Sequence, residues 1–177
     1  MRAETIRRAP SQAGFFLIEA MVAILIFALG ILGLVAMGGT AVSSQSDAQY
    51  RTEASSLADA IAGQIAVSIN RTSEGTKALS LAAFAHQPNP APPTDGSVPP
   101  CAFNGAALDA ATAPTVVPLL DRAANGTAVP GLPGASAANQ QIYVDGAGTF
   151  NRVVITLCWR TASDAAWRRH TLVTYVN

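Results

Sequence analysis

Charged residues are scarce in this chain. Only 12% of the 177 residues are Asp, Glu, Lys or Arg, and 11 basic residues balance 11 acidic ones, so the formal net charge is zero. Proteins that bind nucleic acid neutralise its phosphates with a clustered excess of Lys and Arg. This sequence has neither an excess nor a basic patch, and direct nucleic-acid binding is therefore not expected.

Histidine and cysteine are equally rare. The chain has two of each, and no pair among His86, His170, Cys101 and Cys158 has the spacing of metal ligands. It also has no G-x-S-x-G, P-loop or G-x-G-x-x-G motif. The sequence predicts no catalytic residue, no metal and no cofactor, and a membrane-anchored enzyme is an alternative without a candidate site.

Proline is absent from Ser11 to Gln87, and this region contains the longest apolar run. From Phe15 to Val42 the only charged residue is Glu19. As an α-helix rising about 1.5 Å per residue, the run would be roughly 42 Å long, enough to cross a hydrocarbon core of about 30 Å. A charge inside such a span is costly. Glu19 is thus either a functional group with a partner or a tolerated acid that reaches water near the membrane surface.

Charges on the two sides of this run predict its orientation. The first 14 residues carry three Arg and one Glu, whereas Asp47, Arg51, Glu53 and Asp59 follow the run. The positive side stays in the cytoplasm, which places the later residues outside it. A conventional signal peptide cut near 38–41 is the main alternative, but its apolar core of about 7–15 residues would be half as long.

The residues around Glu19 resemble the class III signal of type IV prepilins. That signal combines a short basic leader ending in Gly, an aromatic residue after the cut and a Glu soon after it, here Gly14, Phe15 and Glu19, before a long apolar run. The continuation, with LGILGL at 29–34, is similar to the minor pilins of the type IV pilus modification protein (PilV) group. The resemblance covers residues 1 to about 65, and beyond them it is one of architecture.

This resemblance implies a minor pilin of a type IV pilus. A prepilin peptidase would cut between Gly14 and Phe15 and methylate the new amino group of Phe15. The subunit would sit in the inner membrane, meet the assembly platform there, and join other pilins through its N-terminal helix. Glu19 would serve subunit assembly, and downstream roles would be adhesion, twitching motility or DNA uptake. A minor pseudopilin of type II secretion and an adhesin displayed at the pilus tip are the alternatives.

One departure from many major pilins is that Gly30, Gly33, Gly38 and Gly39 stand in the span where those proteins have a Pro. Each Gly weakens a helix by about 0.8–1.0 kcal/mol relative to Ala. If the filament needs the helix to bend or melt locally, the glycines are where we expect it to yield.

The helical period continues beyond the apolar run. An apolar stripe recurs at spacings of three and four and predicts an amphipathic helix that ends between Asn70 and Gly75, with Gly as C-cap. A surface helix of a soluble domain would show the same period, whereas the resemblance implies packing on a β-sheet. The stripe consists of Ala54, Leu57, Ala58, Ile61, Ile65 and Ile69.

The middle of the chain gives weaker signals. Leu79–His86 is a short helix candidate, and Ala106–Ala111 and Leu119–Ala124 are candidates for single helical turns. Gln87–Pro100 holds six prolines in fourteen residues, which excludes a regular helix or a central strand. We predict an exposed connecting loop there rather than a proline-rich recognition ligand.

Three β-branched or aromatic-rich runs near the end predict an antiparallel meander: Gln141–Asp145, Arg152–Arg160 and His170–Val176, joined by turns at 145–148 and 161–164. In the second run, Ile155, Leu157 and Trp159 would share one face and Val154, Thr156 and Cys158 the other, and one face should cover the helical stripe.

The predicted fold is therefore α+β and pilin-like, with a long N-terminal helix, first transmembrane and then amphipathic, packed on a small antiparallel sheet. Its parts are a cleaved leader at 1–14, a transmembrane half-helix at 15–42 and a periplasmic domain at 43–177. In an exported domain we expect Cys101 and Cys158 to form one disulfide bond. Two free thiols would indicate a cytosolic domain instead.

Overall fold

The computed structural model describes residues 13–95, 97, 100–124, 131–145 and 150–176. Residues 1–12 of the predicted leader at 1–14, and residues 146–148 of the turn predicted at 145–148, lie outside the described residues. The chain divides into two compact units, residues 1–47 and 48–177. Its class is α+β, with one long N-terminal helix and one three-stranded antiparallel sheet.

Helix α1 runs from Ala13 to Ser68. In the first unit it carries the apolar run, and it continues through all four glycines between Gly30 and Gly39. It ends shortly before the predicted boundary at Asn70–Gly75. Gly75 is not its C-cap, because that glycine lies in the first turn of the next helix.

The second unit is built around the predicted helical stripe. All six stripe residues, from Ala54 to Ile69, are buried, and Arg51 and Asp59 on the opposite side are exposed. Their spacing puts them on one face of the helix, so burying that face removes six side chains from water together. This confirms the amphipathic reading of the sequence.

Helix α2, Glu74–Ala82, begins five residues before the predicted segment Leu79–His86. Its start is set by Ser73, whose hydroxyl accepts a hydrogen bond from the backbone N–H of Thr76, while the Thr76 hydroxyl caps the N–H of Ser73. This reciprocal cap satisfies two backbone donors that a helix start otherwise leaves unpaired. The sequence reading missed it because Thr replaces the usual Glu or Gln.

Helix α3, Val117–Ala123, accounts for the turn predicted at Leu119–Ala124 and starts two residues earlier, with Pro in its first turn. The turn predicted at Ala106–Ala111 is wrong: 106–109 are irregular, and a turn covers 110–112. The loop predicted at Gln87–Pro100 has no helix or strand among its described residues, and most of them are exposed.

The meander prediction is confirmed. Strands β1 (Gln140–Val144), β2 (Arg152–Trp159) and β3 (Arg168–Tyr175) form an antiparallel sheet in the order β1-β2-β3. The turn predicted at 161–164 is closed by the N–H of Asp164, which donates to the carbonyl of Thr161 over 3.1 Å. The central strand pairs along its whole length with β3 and over residues 153–157 with β1.

The face of β2 that carries Ile155, Leu157 and Trp159 packs against α1. These side chains belong to one buried cluster with the helical stripe, with Val153 and with the α3 residue Leu120. All three are fully buried. We call this face the inner face of the sheet. It confirms that one alternating set of β2 covers the amphipathic helix.

The outer face of β2 is buried as well. Val154, Thr156 and Cys158 are at most 2% exposed, although they point away from the main core. A second cluster, made of Cys101, Phe103, Cys158 and the partly buried Trp167, covers part of this face. The sheet therefore has a helix on one side and irregular chain on the other.

Candidate functional site

The first unit presents a continuous apolar surface. Every large apolar side chain described between Phe16 and Met37 is exposed, with 75% of Phe16, 63% of Leu17 and 65% of Ile18 accessible. We call this the apolar helix surface. The helix that carries this surface is the one helix in the described residues that is long and apolar enough to cross a membrane. None of its most apolar segment is buried within the chain.

Glu19 lies on this apolar helix surface. Its side chain is exposed and forms no hydrogen bond or ion pair with another described residue. Gly14 and Phe15, the predicted cleavage site, lie in the first turn of α1. Helical side chains lean towards the N-terminus, and positions four apart are neighbours on the helix. The carboxylate of Glu19 therefore lies on the same side of the helix as the backbone of Phe15.

The four glycines of this segment are not required by packing within the described residues. A Cβ atom built at Gly30, Gly33, Gly38 or Gly39 meets no heavy atom within 4 Å beyond the helix's own backbone. Their effect inside one subunit is on the backbone, since each lowers helix stability by about 0.8–1.0 kcal/mol relative to Ala. Small residues also let a second helix approach closely.

In the second unit, Cys101 and Cys158 form the predicted disulfide, with Cα atoms 5.9 Å apart. Both cysteines are buried, and the bond joins an irregular segment to the outer face of β2. The Nδ2 of Asn139 donates to the carbonyl of Cys101 over 2.6 Å, and the N–H of Phe103 donates to the carbonyl of Ala138 over 2.8 Å. The segment around Cys101 is thus held by hydrogen bonds as well as by sulfur.

The proline-rich loop is fixed to the sheet by one buried amide. The Nε2 of Gln141 donates to the carbonyls of Gln87 and Pro90, over 3.1 and 2.9 Å. Asn89 and Asn104 add a pair of backbone hydrogen bonds of 3.0 and 2.8 Å. These contacts tie the loop to strand β1 and to the segment around Asn104, and they order residues that form no helix or strand themselves.

His86 joins three segments of the second unit. The backbone N–H of Leu108 donates to its Nδ1 over 3.0 Å, and its Nε2 faces the carbonyl of Ala137 at 3.3 Å. An acceptor at Nδ1 and a donor at Nε2 describe a neutral imidazole. Burial lowers the pKa of His86 below its ordinary value, against the smaller opposing effects of the Ala137 carbonyl and Asp121. His86 is a structural residue of the core.

Gln140 is a fully buried amide with a similar role. Its Nε2 donates to the carbonyls of Cys158 and Ala123, and its Oε1 accepts from the N–H of Cys158. It thereby connects the end of α3 to the end of β2. Sequence reasoning missed Gln140, Gln141 and His86, because polar residues in a sequence give no sign of being buried.

Comparison with protein-family models, with curated proteins and with solved structures finds no match to this chain.

Proposed function

We propose that this chain is a type IV prepilin that matures into a minor pilin. The observation that carries the proposal is the apolar helix surface with Glu19 as its lone charge, directly after the Gly14–Phe15 pair. The second unit has a buried core of its own, with α1 on the inner face of the sheet. The apolar helix surface therefore remains for an apolar environment outside the chain.

Such a surface is stable only in a membrane or against other helices. Burying one large apolar side chain is worth about 1.5–3 kcal/mol, and the described segment exposes many of them. In the proposed cycle the segment first spans the inner membrane and then enters the core of a filament made with other pilins. The second unit would lie in the periplasm and later on the cell surface.

Glu19 is proposed to control assembly. A carboxylate without a partner in an apolar bundle is strongly unfavourable, and a nearby positive charge removes much of that cost. Cleavage after Gly14 would create an amino group at Phe15, and N-methylation leaves it positively charged. In a filament the Phe15 amine of a neighbouring subunit would pair with Glu19, which fixes the axial position of the incoming helix. An uncut chain has no such amine.

The proposed role is structural rather than catalytic, with downstream effects on adhesion, twitching or DNA uptake. A prepilin peptidase and the assembly platform would be its partners in the inner membrane. A minor pseudopilin of type II secretion would use the same helix and the same charge pair. Recovery of the protein from sheared surface pili, rather than from the envelope alone, distinguishes the pilus from the secretion system.

Processing is the first test. Mass spectrometry of the protein purified from membranes should show N-methylated Phe15 at the N-terminus. An intact leader, or an N-terminus near Ala41, would contradict the proposal. A Gly14→Val variant should keep its leader, because a side chain at this position obstructs the close approach of a peptidase to the backbone.

Assembly is the second test, with Glu19→Gln as the variant because it removes the charge and keeps the size. It should insert into membranes and be cut after Gly14, but it should be lost from sheared pili. Asp59→Asn is the matched control, since it removes an exposed acid from the same helix outside the apolar segment. If the Glu19→Gln protein entered pili at the wild-type ratio, the assembly role of Glu19 would be wrong.

A further inference from the structure

A groove of about 300 Å³ opens between the proline-rich loop and the outer face of the sheet. The loop contributes Pro92, Pro93 and Ser97, and the sheet contributes alternate residues of β2 and β3. We call it the outer groove. The residues that line it from the sheet are Arg152, Val154, Arg169, Thr171 and Val173.

The charges that line the outer groove have one sign. Among the described residues of the lining, both charged side chains are arginines and none is Asp or Glu. Arg152 pairs with Tyr175 in the β2–β3 register, and Arg169 pairs with Cys158. The two arginines are thus six residues apart along the ladder, or about 20 Å at roughly 3.3 Å per residue. Both arginines line the groove, one near each end of the paired segment.

Arg152 has bonding capacity that the chain does not use. Its Nη2 contacts the Oδ2 of Asp145 at 3.2 Å, and its Nε is buried without a hydrogen-bond partner among the described residues. A guanidinium has five N–H donors, and a buried donor without an acceptor is unfavourable. A rotation of the guanidinium, which one 3.2 Å contact opposes weakly, would present the unused donor to a carboxylate in the groove.

The remaining lining selects among anionic ligands. Val154 and Val173 form an apolar floor, and Thr171 supplies a hydroxyl beside it, whereas Ser97 is hydrogen-bonded to the carboxylate of Asp95. Bases are usually held by stacking on aromatic rings, and none of the eight lining residues is aromatic. The strand surface between the two arginines instead suits an extended chain, in which every second side chain faces the same way.

We propose that the outer groove binds an extended acidic peptide segment of a partner protein. One carboxylate would meet Arg152, a second carboxylate about six residues away would meet Arg169, and apolar side chains between them would lie over the two valines. This inference does not depend on the proposed pilin function, because the groove is built entirely from residues of the second unit.

The test is fluorescence anisotropy with the full chain in micelles of an uncharged detergent. The probe is a labelled heptapeptide with Asp at positions 1 and 7, Val at 3 and 5, and Thr at 2, 4 and 6, so that Asp and Val share one face of the extended chain. We expect saturable binding that weakens as salt is added, and at least tenfold weaker binding of the analogue with Asn in place of Asp. Arg152→Gln and Arg169→Gln should each weaken binding at least tenfold.

Arg122→Gln is the matched control. Arg122 also forms an ion pair, with Glu53 at 3.0 Å, but it does not line the outer groove. This variant should bind the Asp peptide within twofold of the wild type. If Arg152→Gln fails to fold, two other measurements test the proposal. Arg169→Gln should still weaken binding of the Asp peptide, and adding this peptide to the wild type should slow hydrogen exchange of the Thr171 and Val173 amides.

Three results would overturn the inference. The first is no saturable binding of the Asp peptide, or equal binding of its Asn analogue. The second is loss of binding in Arg122→Gln to the same extent as in the groove variants. The third is that an acidic oligosaccharide or inorganic phosphate competes at lower concentration than the peptide, which would assign the two arginines to a different ligand.

Discussion

His86 should make the stability of the second unit depend on pH. The neutral ring accepts from Leu108 and faces the carbonyl of Ala137. Adding a proton at Nδ1 replaces the acceptor with a donor that faces the Leu108 N–H. The protonated form therefore loses this hydrogen bond and carries a charge inside the core.

The sign of the effect follows from the lowered pKa. Between the folded pKa and the unfolded value near 6.5, the unfolded chain binds a proton that the folded chain does not. The contribution of neutral His86 to the free energy of unfolding is therefore fully present above about pH 6.5. As the pH decreases towards the folded pKa, the free energy of unfolding falls by at most about 1.4 kcal/mol per pH unit. Below the folded pKa this contribution to the slope disappears.

The size of the interaction can be measured by His86→Ala. The substitution leaves the buried Leu108 N–H without its acceptor, which costs about 1–3 kcal/mol. The Ala137 carbonyl belongs to an exposed residue and can bind water instead. We expect the free energy of unfolding at pH 7 to fall by about 2–4 kcal/mol, because the loss of side-chain packing adds to the cost of the unpaired N–H.

The assay is urea unfolding of the full chain in detergent micelles at pH 5 to 8. Trp159 and Trp167 are the two tryptophans of the chain, and both lie in the second unit, so their fluorescence reports on that unit. His86→Gln should flatten the dependence between pH 5 and 7, and His170→Gln should keep it. A wild-type unfolding free energy that is constant over this range, or an unchanged slope in His86→Gln, would refute the reasoning.

Three further predictions concern the outer layer and the turns. Replacing Cys101 and Cys158 together with Ala should lower the free energy of unfolding by about 2–4 kcal/mol under oxidising conditions, as expected when a long closed loop is released, and a reductant should lower the wild type equally. Gly134→Ala should destabilise by more than about 1 kcal/mol in the same urea assay, because Gly134 has φ +62° and an added Cβ would overlap a backbone carbonyl oxygen. Arg168 and the Thr161 N–H hold the pKa of Asp164 down to about 2. The ionised Asp164 therefore stabilises the fold above about pH 4, and this contribution should vanish on acid titration through pH 2. The Asp164→Asn variant should lack this contribution.

The sequence predicted those parts of the fold in which burial repeats with a fixed period. The stripe from Ala54 to Ile69 repeats every three or four residues, and β2 alternates every two, so each pattern identifies a buried face. The pairing of Cys101 with Cys158 was equally accessible, since an exported domain with two cysteines has one possible bond. The apolar run at 15–42 could be identified as a candidate membrane span from its length and composition alone.

The rest depends on contacts between segments far apart in the chain. The start of α2 is set by a Ser73–Thr76 cap that does not match the usual pattern. The 106–109 segment stays irregular, and Leu108 within it donates its N–H to His86 rather than within a helical turn. Gln141 gives no sign in the sequence that it anchors a loop fifty residues away. For the candidate site, the sequence could indicate Gly14, Phe15 and Glu19, but not the outer groove.

The pairing of the amphipathic half of α1 with the sheet has a consequence for when the second unit can fold. The stripe from Ala54 to Ile69 is covered by strands that are synthesised much later, with α2, α3 and the proline-rich loop between them. Contacts with such large sequence separation form slowly, because a long loop must close before any burial rewards it. Until β2 arrives, the stripe stays uncovered. The newly made chain therefore exposes two apolar segments, and only the stripe is covered by the chain itself once folding is complete.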